Sequence, residues 1–147
     1  EIMDGMLQVN VVGIAMLCKY FGKQMKERGY GKIINVSSTR GARACLGGNA
    51  SYCTTKGALD MLTRTAACDL GPEVCVNAIG PTNTVTPMME NLIKEHPEIL
   101  HLGDDKPLQR IGRVEDCMGP AVFLASHASD FMTGQIVYAD GGMTAIG

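Results

Sequence analysis

Hydrophobic residues recur at steps of three and four through the first 28 positions of the chain. They are Met3, Leu7, Val11, Ile14, Cys18, Phe21 and Met25. This spacing predicts a helix over residues 2–28, which Gly29 and Gly31 end. Between Val9 and Cys18 nearly every position is apolar. We therefore expect this helix to be covered on two sides, for example by a sheet and by a partner subunit.

Short β-branched runs alternate with helical patterns in the rest of the chain. The sequence predicts strands at 33–36, 74–79 and 135–139, and helices at 51–70 and 114–126. Thr86-Pro87 has the form of a helix start and opens a shorter, irregular segment that runs to His101. Pro120 is expected to start or kink its helix. The alternation predicts an α/β fold, a three-layer Rossmann-like parallel sheet with only the C-terminal strands and helices present.

The composition indicates a single globular domain, because 147 residues suffice for one core and not for two. With a net charge of −2, neither nucleic acid nor an anionic membrane is an expected partner. The longest apolar run, 11–18, is too short to span a bilayer, and no signal peptide is visible. The six cysteines form no C-x-x-C pair and none lies near a His at metal-ligand spacing, which argues against a metal site. Four of them lie in apolar or helical contexts, where free cysteine acts as a small hydrophobe, and this favours a reducing, cytoplasmic location.

Four polar residues occupy positions suited to chemistry. Tyr52 and Lys56 are four residues apart on one predicted helix, so their side chains project from the same face. A neighbouring ammonium favours the phenolate form, which allows a tyrosine to act as an acid or base near neutral pH. Ser38 ends the first strand, at the sheet edge where parallel α/β proteins bind ligands. Asn10 is an amide inside an apolar helical stretch.

Each of these residues also has a structural explanation. The Tyr52 and Lys56 pair is compatible with a solvated helix face. Ser38 is compatible with a capping serine after a strand, and Asn10 with a core amide that bonds to the backbone. Taken one at a time, the four residues therefore leave both explanations open.

The sequence blocks around these residues resemble the short-chain dehydrogenase/reductase superfamily over essentially the whole chain. The first three blocks are VNVVG at 9–13, GKIINVSS at 31–38 and YCTTKGAL at 52–59. The next is VNAIGP at 76–81, with Thr86 five residues after Pro81. The last are PLQRIGR at 107–113, FLAS at 123–126, TGQ at 133–135 and DGG at 140–142. The order of the blocks carries the resemblance.

The resemblance implies a role for each candidate residue. Tyr52 would exchange a proton with the alcohol or carbonyl oxygen of the substrate, and Ser38 would hydrogen-bond the same oxygen. Lys56 would favour the phenolate and hold the nicotinamide ribose, while Asn10 would fix a water that links Lys56 to solvent. The hydride would be carried by NAD or NADP. Cofactor contacts are implied at Tyr52, Lys56, Pro81, Val85 and Thr86.

The largest departure from the family pattern concerns the loop that holds the cofactor phosphates. The family's G-x-x-x-G-x-G spacing does not occur within 1–147. The glycines of 41–48 lack that spacing, and we interpret them as part of a substrate-side loop. We therefore expect 1–147 to be a single partial catalytic domain that lacks the dinucleotide-phosphate-binding half. The preference between NAD and NADP is not readable from it.

Smaller departures concern the substrate side. Ser38 stands fourteen residues before Tyr52, one more than is usual in the family, so Thr39 has the usual distance to the tyrosine. We align Ser38 by its position at the end of the strand and place the extra residue within 45–48. Thr82 stands where the family usually has a glycine. This replacement, together with the sequence of 52–63, resembles the carbonyl and L-xylulose reductase branch. The last forty or so residues resemble gluconate-type sugar-acid dehydrogenases. Both resemblances imply a sugar, polyol, sugar acid or small carbonyl compound as substrate.

Two functions remain open from the sequence. The first is an NAD(P)-dependent oxidoreductase that interconverts a secondary alcohol and a carbonyl with a tyrosine as acid and base. The second is a truncated, non-catalytic module that acts only through subunit association. The family uses helices such as 2–28 and 51–70 in a four-helix dimer contact, so we expect a homo-oligomer. Ile33, Ile34 and Val36 are expected to be exposed beside an unpaired strand edge.

Overall fold

The computed structural model describes residues 1–45 and 47–146. Leu46, in the segment 45–48 to which the sequence assigns an extra residue, lies outside the described residues. The helices are α1 Ile2–Leu7, α2 Ile14–Glu27, α3 Ala50–Leu70, α4 Pro87–Glu95 and α5 Met118–Ala125. The strands are β1 Gly31–Val36, β2 Val74–Pro81, β3 Thr84–Val85, β4 Gly112–Arg113 and β5 Ile136–Ala139.

The main sheet contains β1, β2 and β5 in that order, and both pairings are parallel. Val36 lies opposite Ile79, and Pro81 lies opposite Ala139. The carboxyl ends of the strands therefore meet at one edge of the sheet. A second, two-residue pairing joins β3 to β4. Two residues are too few for any periodicity, so the sequence pattern did not predict this pairing.

Side chains of β1 alternate between two faces, and helices cover both. On one face Ile33 packs against the apolar core, and the Asn35 amide donates to Thr63 Oγ1 on α3 at 2.9 Å. On the other face Lys32 forms a 2.8 Å salt bridge with Asp130, just beyond α5. The three-layer α/β arrangement predicted from the sequence is thereby confirmed.

The apolar core lies between the second half of α3 and the first half of β2. It contains Ala66, Ala67, Val74 and Val76, with Met25, Ile33 and Leu70 packed against them. Small residues on α3 let the helix approach the sheet closely, while the valines fill the pleated surface. This contact fixes the position of α3 on the sheet, and α3 carries the candidate tyrosine and lysine.

A π-helical segment, Gln8–Gly13, joins α1 and α2 into one helix, Ile2–Glu27. The helix predicted over 2–28 is therefore confirmed, ending before Gly29 in a left-handed conformation with φ of 76°. By length and composition alone this helix could cross a membrane, a test that core helices of soluble proteins also pass. The sequence analysis judged only the uninterrupted apolar run 11–18 too short to span a bilayer, whereas the apolar helix extends on both sides of that run.

The first helix exposes a row of apolar side chains. Its outer face exposes Val9, Val12, Met16 and Tyr20, which follow helical spacing. On α3, by contrast, Leu59, Ala66 and Ala67 are buried and Met61 is the large hydrophobic side chain that is exposed. The expectation of an apolar outer surface thus holds for the first helix. It is wrong for most of α3, because the sheet covers the apolar residues of that helix.

Strand β1 is an edge strand, since within the described residues it pairs only with β2. Val36 is 61% exposed, as expected for this edge. Ile33 and Ile34 are only half-buried, so the expectation that both are exposed is wrong. Ile33 packs against the core, and Ile34 lies on the face that contacts α5.

Two segments that the sequence predicted as single units are each divided in the structure. The segment predicted from Thr86 to His101 divides into α4 and a 3₁₀ helix, Pro97–Gly103. The helix predicted over 114–126 divides into a 3₁₀ turn, Val114–Cys117, and α5. Pro120 lies in the first turn of α5, where its missing N–H breaks no helical hydrogen bond.

A row of polar contacts, which we call the polar seam, joins β1 to α3. It consists of Asn35–Thr63, Ser37–Asp60 and Val36–Lys56. The Ser37 hydroxyl donates to the Asp60 carboxylate, and the Lys56 ammonium donates to the Val36 carbonyl at 2.9 Å. Lys56, Asp60 and Thr63 follow i, i+4, i+7 spacing, so they share one face of α3. The seam therefore fixes the register between helix and strand.

Asp60 is the buried carboxylate of the polar seam. Burial raises the pKa of Asp60 above its usual range, while Ser37, Arg64 and Lys56 oppose the shift. The turn after β1 lies directly against Asp60 at Gly41. A Cβ there would collide with the carboxylate and stand 2.9 Å from the Lys56 carbonyl oxygen. Only glycine fits at this position without displacing α3.

Asp60→Asn is expected to preserve or raise the free energy of unfolding at neutral pH. It should also make that free energy change less with pH in the acid range. Because the folded pKa is raised, stability falls as pH rises from the unfolded value, about 3.9, through the folded value. Asparagine retains the acceptor for Ser37 without the buried charge. Urea unfolding across this pH range is the measurement, with exposed Asp69→Asn as the control. A larger loss of stability at neutral than at acid pH would contradict the prediction.

Candidate active site

Ser38 and Tyr52 line one cavity of about 210 Å³ at the carboxyl edge of the sheet. Ser38 directly follows β1, and Tyr52 lies in the first turn of α3. The remaining lining residues are Thr39, Arg40, Asn49, Thr82 and Asn83. Thr82 follows the last residue of β2, so the cavity spans the ends of two adjacent strands. This is the position in which open parallel sheets bind ligands.

Lys56 lies one helical turn from Tyr52. Its Nζ is 5.6 Å from the centroid of the Tyr52 ring and donates to the Val36 carbonyl at 2.9 Å. Burial lowers the pKa of Lys56, and the charge of Asp60 opposes this shift. An ammonium has three donors, so two remain for a ligand or water after the bond to Val36.

Asn10 is connected to Tyr52 through Thr55. The Asn10 amide donates to Thr55 Oγ1 at 3.1 Å, and the Thr55 hydroxyl donates to the Tyr52 carbonyl at 2.9 Å. Asn10 lies in the π-helical segment, a local widening often found at functional sites. Sequence reasoning did not single out Thr55, although its position next to Lys56 was the available signal. All four predicted catalytic residues thus belong to one connected group.

Ser38 combines a capping role with a free donor. Its side-chain oxygen accepts a hydrogen bond from the Arg40 N–H at 3.2 Å and begins the 3₁₀ turn Thr39–Gly41. The bond uses a lone pair and leaves the hydroxyl hydrogen available. Capping and ligand binding, which the sequence left as alternatives, are therefore compatible at this serine.

The predicted cofactor loop lies in a different cavity from the serine and tyrosine. Val85 and Thr86 line a cavity of about 650 Å³ with Arg110 and Ile111. Among the described residues the Thr86 side chain makes no capping hydrogen bond to α4, although it stands at the N-cap. Pro81 ends β2 opposite Ala139.

The cysteines and acidic residues offer no metal site. Within residues 1–45 and 47–146, no group of three or more His, Cys, Asp or Glu side chains could hold a metal ion. All six cysteines are free thiols, and the sulfurs of Cys45 and Cys53 approach to 3.8 Å.

Comparison with known proteins gives consistent matches over the length of the chain. A family model described as enoyl-(acyl carrier protein) reductase matches residues 1–144. L-xylulose reductase of Mus musculus is 37% identical over 147 residues, covering 99% of this chain. Gluconate 5-dehydrogenase of Gluconobacter oxydans is 36% identical over 142 residues, covering 96% of this chain. A gluconate 5-dehydrogenase structure from Burkholderia cenocepacia, in complex with NADP and tartrate, superimposes with a TM-score of 0.88 at 32% identity.

The matches cover nearly all of this chain and a smaller share of each relative. The Burkholderia structure is matched over 99% of this chain and 57% of its own. The chain spans 60% of the mouse reductase and 55% of the Gluconobacter dehydrogenase. The family model, the identities and the superposition agree with the order of sequence blocks and with the parallel sheet. The chain belongs to the short-chain dehydrogenase/reductase family.

Proposed function

We propose that residues 1–147 are the catalytic part of an NAD(P)-dependent oxidoreductase that interconverts a secondary alcohol and a carbonyl. The observation that carries the proposal is the shared cavity of Ser38 and Tyr52, with the Lys56 ammonium 5.6 Å from the tyrosine ring. A hydroxyl donor, an acid/base phenol and a cation are the groups that proton transfer at a carbonyl oxygen requires. The cofactor phosphates would be held outside 1–147.

Ser38 and Tyr52 divide the work at the substrate oxygen. Ser38 donates its hydroxyl hydrogen to that oxygen, since the bond from the Arg40 N–H occupies only one of its two lone pairs and does not use the hydrogen. Tyr52 gives the oxygen a proton during reduction and removes one during oxidation. The serine thus orients the oxygen and stabilises negative charge on it, while the tyrosine completes the proton transfer.

Lys56 and Asn10 support the tyrosine. The Lys56 ammonium lies 5.6 Å from the centroid of the Tyr52 ring, and its two remaining donors can hold ribose hydroxyls and a water. The Asn10 amide nitrogen is committed to Thr55, which leaves its carbonyl oxygen to accept from that water. Protons can then pass between Tyr52 and solvent along the lysine and the water.

The chain offers suitable groups for a nicotinamide. Pro81 and Val85 provide apolar contacts, and the uncommitted Thr86 hydroxyl can bond a carboxamide. NAD or NADP would supply the hydride, and residues of this chain would position the ring and handle the proton. The structural relative described above contains NADP, which supports the proposal without fixing the preference of this protein.

A small hydroxylated compound is the proposed substrate class. The relatives are named for L-xylulose and gluconate, and one structure contains tartrate beside NADP. In this chain all seven residues that line the Ser38 cavity have polar side chains. A sugar, polyol or sugar acid fits such a lining better than an apolar ketone does.

The six free thiols suit a reducing cytoplasm as the proposed location.

We also propose that the protein forms a homo-oligomer through its first helix. The exposed stripe of Val9, Val12, Met16 and Tyr20 is continuous along that helix. Monomeric proteins seldom leave such a stripe in water. A purely structural module acting through this surface is the alternative function, and it predicts association without turnover.

Tyr52→Phe is expected to lower the rate of alcohol oxidation by roughly 10²–10⁴-fold, because the proton acceptor is lost. NADP affinity should remain within a few-fold, since the aromatic ring is retained. The measurement is steady-state turnover plus NADP titration, with the natural polypeptide that contains residues 1–147. Tyr30→Phe, at the opposite end of the sheet, is the matched control. Near-normal turnover by Tyr52→Phe would exclude the assigned role.

Met16→Glu combined with Tyr20→Glu is expected to shift the protein from oligomer to monomer. Two carboxylates on the exposed stripe would repel each other across a self-associating surface. Sedimentation velocity at micromolar concentration measures the change. Leu92→Glu, an exposed apolar position on α4, is the matched control and should leave the oligomer intact. If the unsubstituted protein sediments as a monomer, the association proposal is wrong.

A further inference from the structure

The cavity beside Ser38 and Tyr52 contains a cation that the proton chemistry does not use. Arg40 lines the cavity, two residues after Ser38 in the same 3₁₀ turn. The Arg40 N–H donates to Ser38 Oγ at 3.2 Å, so the backbone of the arginine is fixed relative to the serine. A group bound by the Arg40 guanidinium would therefore lie in the same cavity as the Ser38 hydroxyl.

Arg40 differs from Arg110 and Lys32, whose charges are paired with carboxylates. Arg110 forms two 2.7 Å hydrogen bonds to Asp116, and Lys32 forms a 2.8 Å salt bridge with Asp130. Within residues 1–45 and 47–146, no carboxylate lies within salt-bridge distance of Arg40. A half-buried guanidinium left without a partner at a cavity is suited to a bound anion.

The rest of the cavity favours an anion that also has hydroxyl groups. Asn49 and Asn83 supply amide donors and acceptors, and Thr39 and Thr82 supply hydroxyls. Arg40 also affects the neighbouring helix, because its positive charge opposes the upward shift in the pKa of Cys53, next to Tyr52.

We propose that Arg40 binds the carboxylate of the substrate and makes the enzyme selective for hydroxy acids over neutral polyols. The inference rests on the function proposed above and narrows its substrate class to small polyhydroxylated carboxylates. A planar guanidinium bonds both oxygens of a carboxylate at once, which sets orientation as well as affinity. With the carboxylate on Arg40, a nearby hydroxyl-bearing carbon is presented to Ser38 and Tyr52.

The test compares a six-carbon aldonate with the hexitol of the same length, using the natural polypeptide that contains these residues and NADP. Arg40→Gln is expected to lower the ratio of kcat/KM for aldonate over hexitol by roughly 10- to 100-fold, mainly through KM. Arg40→Lys retains the charge without the planar fork and should give an intermediate ratio. Arg28→Gln removes the same charge from the exposed end of the first helix, so it controls for general electrostatic attraction.

The outcomes separate the inference from the function on which it rests. Turnover of hexitol with no preference for aldonate, or an unchanged ratio in Arg40→Gln, overturns the role of Arg40 and leaves the oxidoreductase function intact. Turnover of neither compound, with NADP or with NAD, overturns the substrate class proposed above. Calorimetry of aldonate binding then decides the inference, since equal affinity of wild type and Arg40→Gln overturns it. Thermal unfolding of each variant verifies that it is folded.

Discussion

The candidate site depends on the buried hydrogen bond between Ser37 and Asp60. A carboxylate removed from water is costly unless it accepts hydrogen bonds, so the two side chains must remain together in the folded chain. Ser37 immediately precedes Ser38, and Asp60 lies two helical turns after Tyr52. The bond therefore holds the strand that ends in the serine against the helix that begins with the tyrosine.

The same seam explains why Lys56 is both structural and available for chemistry. One of its hydrogens is bound to the Val36 carbonyl, which fixes the ammonium beside the end of β1. Burial lowers the pKa of Lys56 while Asp60 opposes that change. Asp60 thus favours the charged lysine, and the lysine in turn favours the charged carboxylate. Each charge therefore offsets part of the cost of burying the other.

Local sequence patterns predicted the elements better than the contacts between them. Periodicity predicted α3 and the strands β1 and β2, because the apolar residues of each repeat at a spacing set by the element itself. Asp60, Thr63 and Thr55 carried no such signal, since their partners lie 23, 28 and 45 residues away in the chain. Ser38 and Tyr52 were identified through family resemblance and strand position. Their common cavity depends on the seam, which no short pattern encodes.

The first helix would connect the proposed subunit association to the candidate site through its two faces. Its inner face holds Asn10 against Thr55, one residue before Lys56. Its outer face exposes Met16 and Tyr20, which water solvates poorly. The π-helical segment that contains Asn10 carries Val9 and Val12 of the exposed stripe. A surface that covers the outer face would restrain this segment, so the proposed association and the position of Asn10 depend on one element.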